Sequence, residues 1–112
     1  MTDAIKVMRK REIKTFMDVD ELCRLYVKTN QITFGTSTLE PGKKGGTDPG
    51  HKNGEEIFYV AKGKVICSFP KSGVKKELNE GDIVIIPKME PHELHNPGKT
   101  DVVVVWSLAP SD

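Results

Sequence analysis

Gly81-Asp82-Ile83-Val84-Ile85-Ile86-Pro87-Lys88-Met89-Glu90-Pro91-His92-Glu93-Leu94-His95-Asn96 is the stretch from which the fold is read. The apolar run Ile83 to Ile86 lies between the turn residues Gly81-Asp82 and Pro87, so it reads as a short buried strand. His92, Leu94 and Asn96 alternate with Glu93 and His95 until Pro97-Gly98, so they read as a second short strand with His92 and Leu94 on one face. Two strands this short, separated by a proline-bounded turn, belong to a β-protein built from many small pieces.

The rest of the chain is punctuated in the same way. Upstream, Glu56 to Ala61 is a strand ended by Gly63, Lys64 to Phe69 follows, Pro70 to Gly73 turns, and Val74 to Leu78 returns. Leu22 to Lys28 and Gln31 to Leu39 are strands broken near Asn30. Asp18 and Asp20 are possible N-caps for a short helix at Asp20-Glu21-Leu22, but Tyr26, Val27 and Thr29 favour strand from Leu25 on. Val102 to Leu108 is the last strand, stopped by Pro110. Between Pro41 and Gly54 runs a long glycine-rich loop with two prolines; loops of that length in compact domains are usually functional or disordered. Strands without a helix of normal length bury their faces only in an antiparallel closed barrel or jelly roll.

A chain of 112 residues is one domain, with residues 1–20 as an N-terminal arm. A net charge of +1 argues against nucleic acid or an acidic membrane as the main partner. The basic run Lys6, Arg9, Lys10, Arg11 and Lys14 reads as a solvated arm. No apolar segment approaches the length of a membrane span, and no signal peptide is evident. Cys23 and Cys67 lie far apart in apolar runs, without a CxxC pair, and are expected to be reduced core thiols of a cytoplasmic protein.

The chemistry sits in two clusters. Glu56, Phe58 and Val60 share one face of their strand, so Glu56 points toward apolar surroundings. A carboxylate buried there needs a cation or a proton, because leaving it unpaired costs several kcal/mol. His51 precedes that strand and His92 lies in the second cluster. Two imidazoles and a carboxylate converging on one point are a ligand set for a divalent first-row metal. Glu55 is out of phase with Glu56 and faces solvent, and His95 is likewise out of phase with His92. Asn96 reads as a turn-closing residue. Phe58, Met89, Tyr26, Phe34 and Trp106 are pocket-lining candidates for which core packing is the competing role.

The two clusters resemble the paired motifs of the cupin superfamily, G-x5-H-x-H-x3-4-E-x6-G and G-x5-P-x-G-x2-H-x3-N. Gly81, Pro87, His92 and Asn96 match the second motif in residue and spacing, and Met89 departs where the family has glycine. Glu56 and Gly63 match the end of the first motif. Its head departs, because the family's two histidines are represented here by His51 alone. If His51 fills the second slot, Pro49 falls in the first; if it fills the first, Asn53 falls in the second.

The resemblance implies an all-β fold, a double-stranded β-helix or jelly-roll barrel, as a single cupin domain over residues 1–112. It implies one divalent metal ion per chain, iron, manganese, nickel or zinc, held by His51, Glu56 and His92, with Asn53, Asp48 or water as the fourth ligand. It further implies a metal-dependent enzyme (dioxygenase, isomerase, decarboxylase or lyase) acting on a small organic acid, phenol or sugar derivative. The alternative is a non-catalytic cupin binding module for a small ligand or sugar, with a weakened or lost metal site. Partners are expected to be a small molecule and a second copy of the chain, a homodimer in which the N-terminal arm is exchanged, and neither nucleic acid nor membrane.

Overall fold

A computed structural model describes residues 4–112. Its regular elements are a 3-10 turn at Lys10–Glu12 and nine strands. The strands are β1 (Lys14–Asp18), β2 (Glu21–Lys28), β3 (Thr33–Leu39), β4 (Glu55–Lys62), β5 (Val65–Phe69), β6 (Val74–Leu78), β7 (Ile83–Ile86), β8 (Glu93–His95) and β9 (Val102–Ala109). They form a six-stranded sheet in the order β1-β2-β3-β9-β4-β7 and a three-stranded sheet in the order β6-β5-β8, with every strand pair antiparallel. This is the double-stranded β-helix expected from the sequence.

Strict alternation places the core. In β4, Glu56, Phe58 and Val60 are buried while Glu55, Ile57 and Tyr59 are exposed. Leu39, Phe58, Val60 and Val104 from the large sheet meet Val65, Cys67 and Leu94 from the small one. Each such buried side chain contributes roughly 1.5–3 kcal/mol of transfer free energy. Cys23 and Cys67 are both buried and unbridged.

Within the stretch read as an N-terminal arm, residues 14–18 form strand β1, where Phe16 pairs opposite Cys23 and extends the sheet by one strand. Residues 20–22 do not open a helix: Val19, with φ of 56°, turns the chain directly from β1 into β2. The run Ile83 to Ile86 is not buried throughout. Ile86 is 1% exposed, but Ile83 is 52% and Ile85 59% exposed. β7 is the edge of the large sheet and pairs only with β4, so its outward side chains have no layer over them.

Residues 42–48 of the glycine-rich segment 41–54 hydrogen-bond along residues 92–96, which include β8. Gly42 N donates to Asn96 O at 3.0 Å, Asn96 N to Lys43 O at 2.9 Å, and Gly45 N to Leu94 O at 2.9 Å. Asn96 closes the next turn, donating from Nδ2 to Leu39 O and Thr100 O and accepting at Oδ1 from Gly98 N.

Candidate metal centre

Four side chains from three places in the chain converge. Glu56 comes from the inward face of β4, His92 from just before β8, His51 from the end of the long loop, and Asp48 from within it. One ligand atom from each lies within 4.8 Å of all the others. His92 Nε2 is 3.0 Å from Glu56 Oε1, and His51 Nε2 is 3.3 Å from the same oxygen. Asp48 Oδ2 is 3.4 Å from His51 Nε2 and 3.8 Å from His92 Nε2. Donor atoms around one ion at bond lengths of about 2.1 Å stand at separations of this size.

The protonation pattern points the same way. His92 Nδ1 lies 2.9 Å from the carbonyl oxygen of Glu90, which can only accept, so Nδ1 carries the hydrogen. In a neutral ring Nε2 then presents a lone pair to a carboxylate oxygen. Two acceptors facing each other in a buried site need a cation or a proton between them. With His92 Nε2 bare, Glu56 Oε1 is buried without a hydrogen-bond partner, as is His51 Nε2; only a proton on His92 Nε2 makes the hydrogen bond to Glu56. Burial pulls the His92 imidazolium down, but the Glu56 hydrogen bond, the Glu90 carbonyl and the charges of Glu56 and Asp48 outweigh it, and the net shift is upward.

Outer partners hold both imidazoles. His51 Nδ1 is 3.3 Å from Asp112 Oδ2. The same carboxylate accepts from the backbone N–H of Lys52 at 3.0 Å and of Asn53 at 2.8 Å. These bonds, the Asn53 N–H first, hold the Asp112 carboxyl below its ordinary range. Phe58 packs edge-on against the His92 ring at a centroid distance of 5.4 Å.

The structure brings His51, Glu56 and His92 together, and it places Asp48 rather than Asn53 beside them. Asn53 is exposed, and its backbone is committed to Asp112. Glu55 is exposed. Met89 takes the motif's glycine position with φ of 64°, so a conformation that favours glycine is met here by a larger residue. Its N–H donates to His51 O at 2.8 Å and ties the two clusters together.

The donors line a cavity of about 250 Å³. Phe58 and Trp106 belong to its wall, whereas Met89, Tyr26 and Phe34 do not. Sequence reasoning did not single out Glu21 or Cys23 of β2 as cavity residues, or Asp112. The alternation of Glu21, Cys23 and Leu25 was available as a signal for the first two; nothing local marks the third.

A family model described as "Cupin domain" matches residues 35–108. Among solved structures, a predicted oxalate decarboxylase from Thermotoga maritima is 20% identical, with 95% of this chain and 100% of that one covered at a TM-score of 0.78. An uncharacterized conserved protein with a double-stranded beta-helix domain from Klebsiella pneumoniae is 19% identical over 96% and 92%, with a TM-score of 0.80. KdgF from Halomonas sp. is 18% identical over 96% of each chain, with a TM-score of 0.77. No curated protein matches the chain.

Proposed function

The chain belongs to the cupin domain family, and on that premise we propose that it is a metal-dependent enzyme acting on a small oxygen-bearing molecule. The observation that carries this reading is the 3.0 Å approach of His92 Nε2 to Glu56 Oε1, with Nδ1 of the same ring committed to a carbonyl. Asp48, His51, Glu56 and His92 would hold the ion. Two nitrogen and two oxygen donors form a harder set than three imidazoles and one carboxylate, and favour iron(II) or manganese over nickel or zinc. When bound, the ion would supply Lewis acidity or a site for dioxygen activation. The residues themselves orient it, and Phe58, Leu94 and Trp106 give the cavity apolar walls that exclude water.

A cavity of about 250 Å³ suits a small organic acid, phenol or sugar derivative. The name of one structural neighbour, a predicted oxalate decarboxylase, agrees with a small oxygen-rich ligand. Two unbridged cysteines support a reducing, cytoplasmic setting. A homodimer is part of the same proposal. Ile57 pairs opposite Ile85 and Tyr59 opposite Ile83 on the outer face of β4 and β7, and all four are exposed. A second copy would cover such a patch.

Elemental analysis of protein purified without chelator tests the metal reading. About one metal ion per chain, lost in His92→Ala, supports it. A metal-free protein that takes up neither iron nor manganese refutes it and favours the non-catalytic binding module.

A further inference from the structure

The same cavity has a second polar group that the four donors do not explain. Glu21, the first residue of β2, is only 9% exposed and lines the cavity together with Cys23 and Asp18. Buried carboxyls without a cation are rare, and no basic side chain bonds to Glu21 among the described residues.

A chain of hydrogen bonds fixes the orientation of this carboxyl. The indole Nε1 of Trp106 is 2.9 Å from Ser37 Oγ. An indole N–H can only donate, so the serine oxygen accepts there and its own hydrogen turns to Oε2 of Glu21. Cys23 Sγ is 3.6 Å from the same oxygen. Oε2 is thereby occupied, while Oε1 takes no part in these bonds and lies beside Gly45.

The backbone is built around this arrangement. A Cβ at Gly45 would collide with Oε1 of Glu21, and one at Gly46 with the carboxylate of Asp18. A Cβ at Gly35 would collide with the Trp106 ring. Three glycines thus leave room for the two acids and the indole.

Resting on the metal reading above, we propose that Glu21 is the ligand-binding carboxyl of the cavity, meeting an acceptor oxygen of the metal-held molecule through Oε1. Burial, the largest influence, raises its pKa, and Asp18 raises it further, while Ser37, Cys23 and the charge of His92 lower it; the net direction is up. A neutral Glu21 donates to a carbonyl, hydroxyl or carboxylate oxygen and adds no negative charge beside Asp48 and Glu56. Once ionised, it repels an anionic ligand.

The other titratable groups that line the cavity are Asp18 of β1, Cys23 and Lys28 of β2, Glu93 of β8 and the four donors Asp48, His51, Glu56 and His92, and Cys67 of β5 feels the Glu21 charge. Both thiols are pushed up to about 12 and stay neutral over the working range. His92 is a metal ligand in the loaded protein.

The experiment uses cobalt(II)-loaded protein with acetate as the probe anion. Acetate binding is followed through the cobalt absorption bands from pH 5.5 to 8.5. Hydroxide competition acts on every variant alike, so the difference between variants reports Glu21. In wild type, acetate affinity should fall with pH by on the order of tenfold more than in Glu21→Gln, which stays neutral and keeps an acceptor for Ser37. Gly45→Ala, which displaces Oε1 without removing the acid, should also alter the profile, and it serves as the test if Glu21→Gln does not fold. Identical profiles in wild type and variant overturn the proposal and leave Glu21 a structural residue. Failure of cobalt to bind overturns the metal reading, and this proposal with it.

Discussion

Asp48 and His92 exchange both of their backbone hydrogen bonds, Asp48 N to His92 O at 2.8 Å and His92 N to Asp48 O at 3.0 Å. Residues directly opposite in an antiparallel pair point their side chains to the same face. This isolated bridge therefore delivers Asp48 to the centre whenever His92 is in place. Asp48→Ala is expected to lower metal affinity at least tenfold, whereas Asn53→Ala should leave it unchanged. Calorimetric titration of the metal-free protein with manganese separates the two, and equal losses would remove Asp48 from the ligand set.

Glu55 and Glu56 are neighbours in sequence and opposites in environment. Glu56 is 6% exposed and lies within 3.3 Å of both imidazoles, while Glu55 faces solvent. Glu56→Gln should release most of the metal during dialysis, and Glu55→Gln should retain it, as measured by metal content per chain. Equal retention in both variants would mean that the inward carboxylate is not a ligand.

The sequence made much of this geometry legible, because strand alternation is local. The phase of Glu56, Phe58 and Val60 follows from period two alone, as does the opposition of His92 and His95. Asp48 is different. The resemblance left Asp48, Asn53 and water open as the fourth ligand; Asp48 arrives because residues 42–48 hydrogen-bond along residues 92–96, and long-range pairing of a loop leaves no periodic mark. The burial of β7 was over-read for a related reason. An apolar run looks the same in a central strand and at an edge, and only the sheet order shows that Ile83 and Ile85 have no layer above them.

Asp112 is distant in sequence and touches the centre only through His51. A carboxylate on the far nitrogen of a metal-binding imidazole fixes its tautomer and ring orientation. Asp112→Ala is expected to reduce metal affinity about tenfold or more with little change in the melting temperature of the metal-free protein, since the residue lies at the surface. A loss of stability without a change in affinity would assign Asp112 to the loop 51–53 alone.

The outer patch of Ile57, Tyr59, Ile83 and Ile85 offers a test of assembly. Substituting an exposed residue costs an isolated chain within about 0.5 kcal/mol. Ile85→Glu should therefore leave melting nearly unchanged for a monomer, yet convert a dimer to monomer in sedimentation velocity. A wild-type protein that sediments as a monomer at every concentration would sink the homodimer.

Proton and metal compete for His92, so pH should act in opposite senses on the two forms. A free histidine titrates near pH 6.5, and the folded, metal-free protein holds its His92 proton to higher pH because Glu56, the Glu90 carbonyl and Asp48 outweigh burial. A group whose folded pKa is raised contributes stability that is complete below the unfolded value and is lost as pH climbs through the folded one. Metal-free protein should accordingly melt lower as pH rises above about 6.5. Metal binding requires the neutral ring, so manganese affinity should rise over that same interval. Melting curves with and without saturating manganese, together with an NMR titration of His92, check both trends. Parallel pH dependence in the two forms would show that no ion displaces the His92 proton.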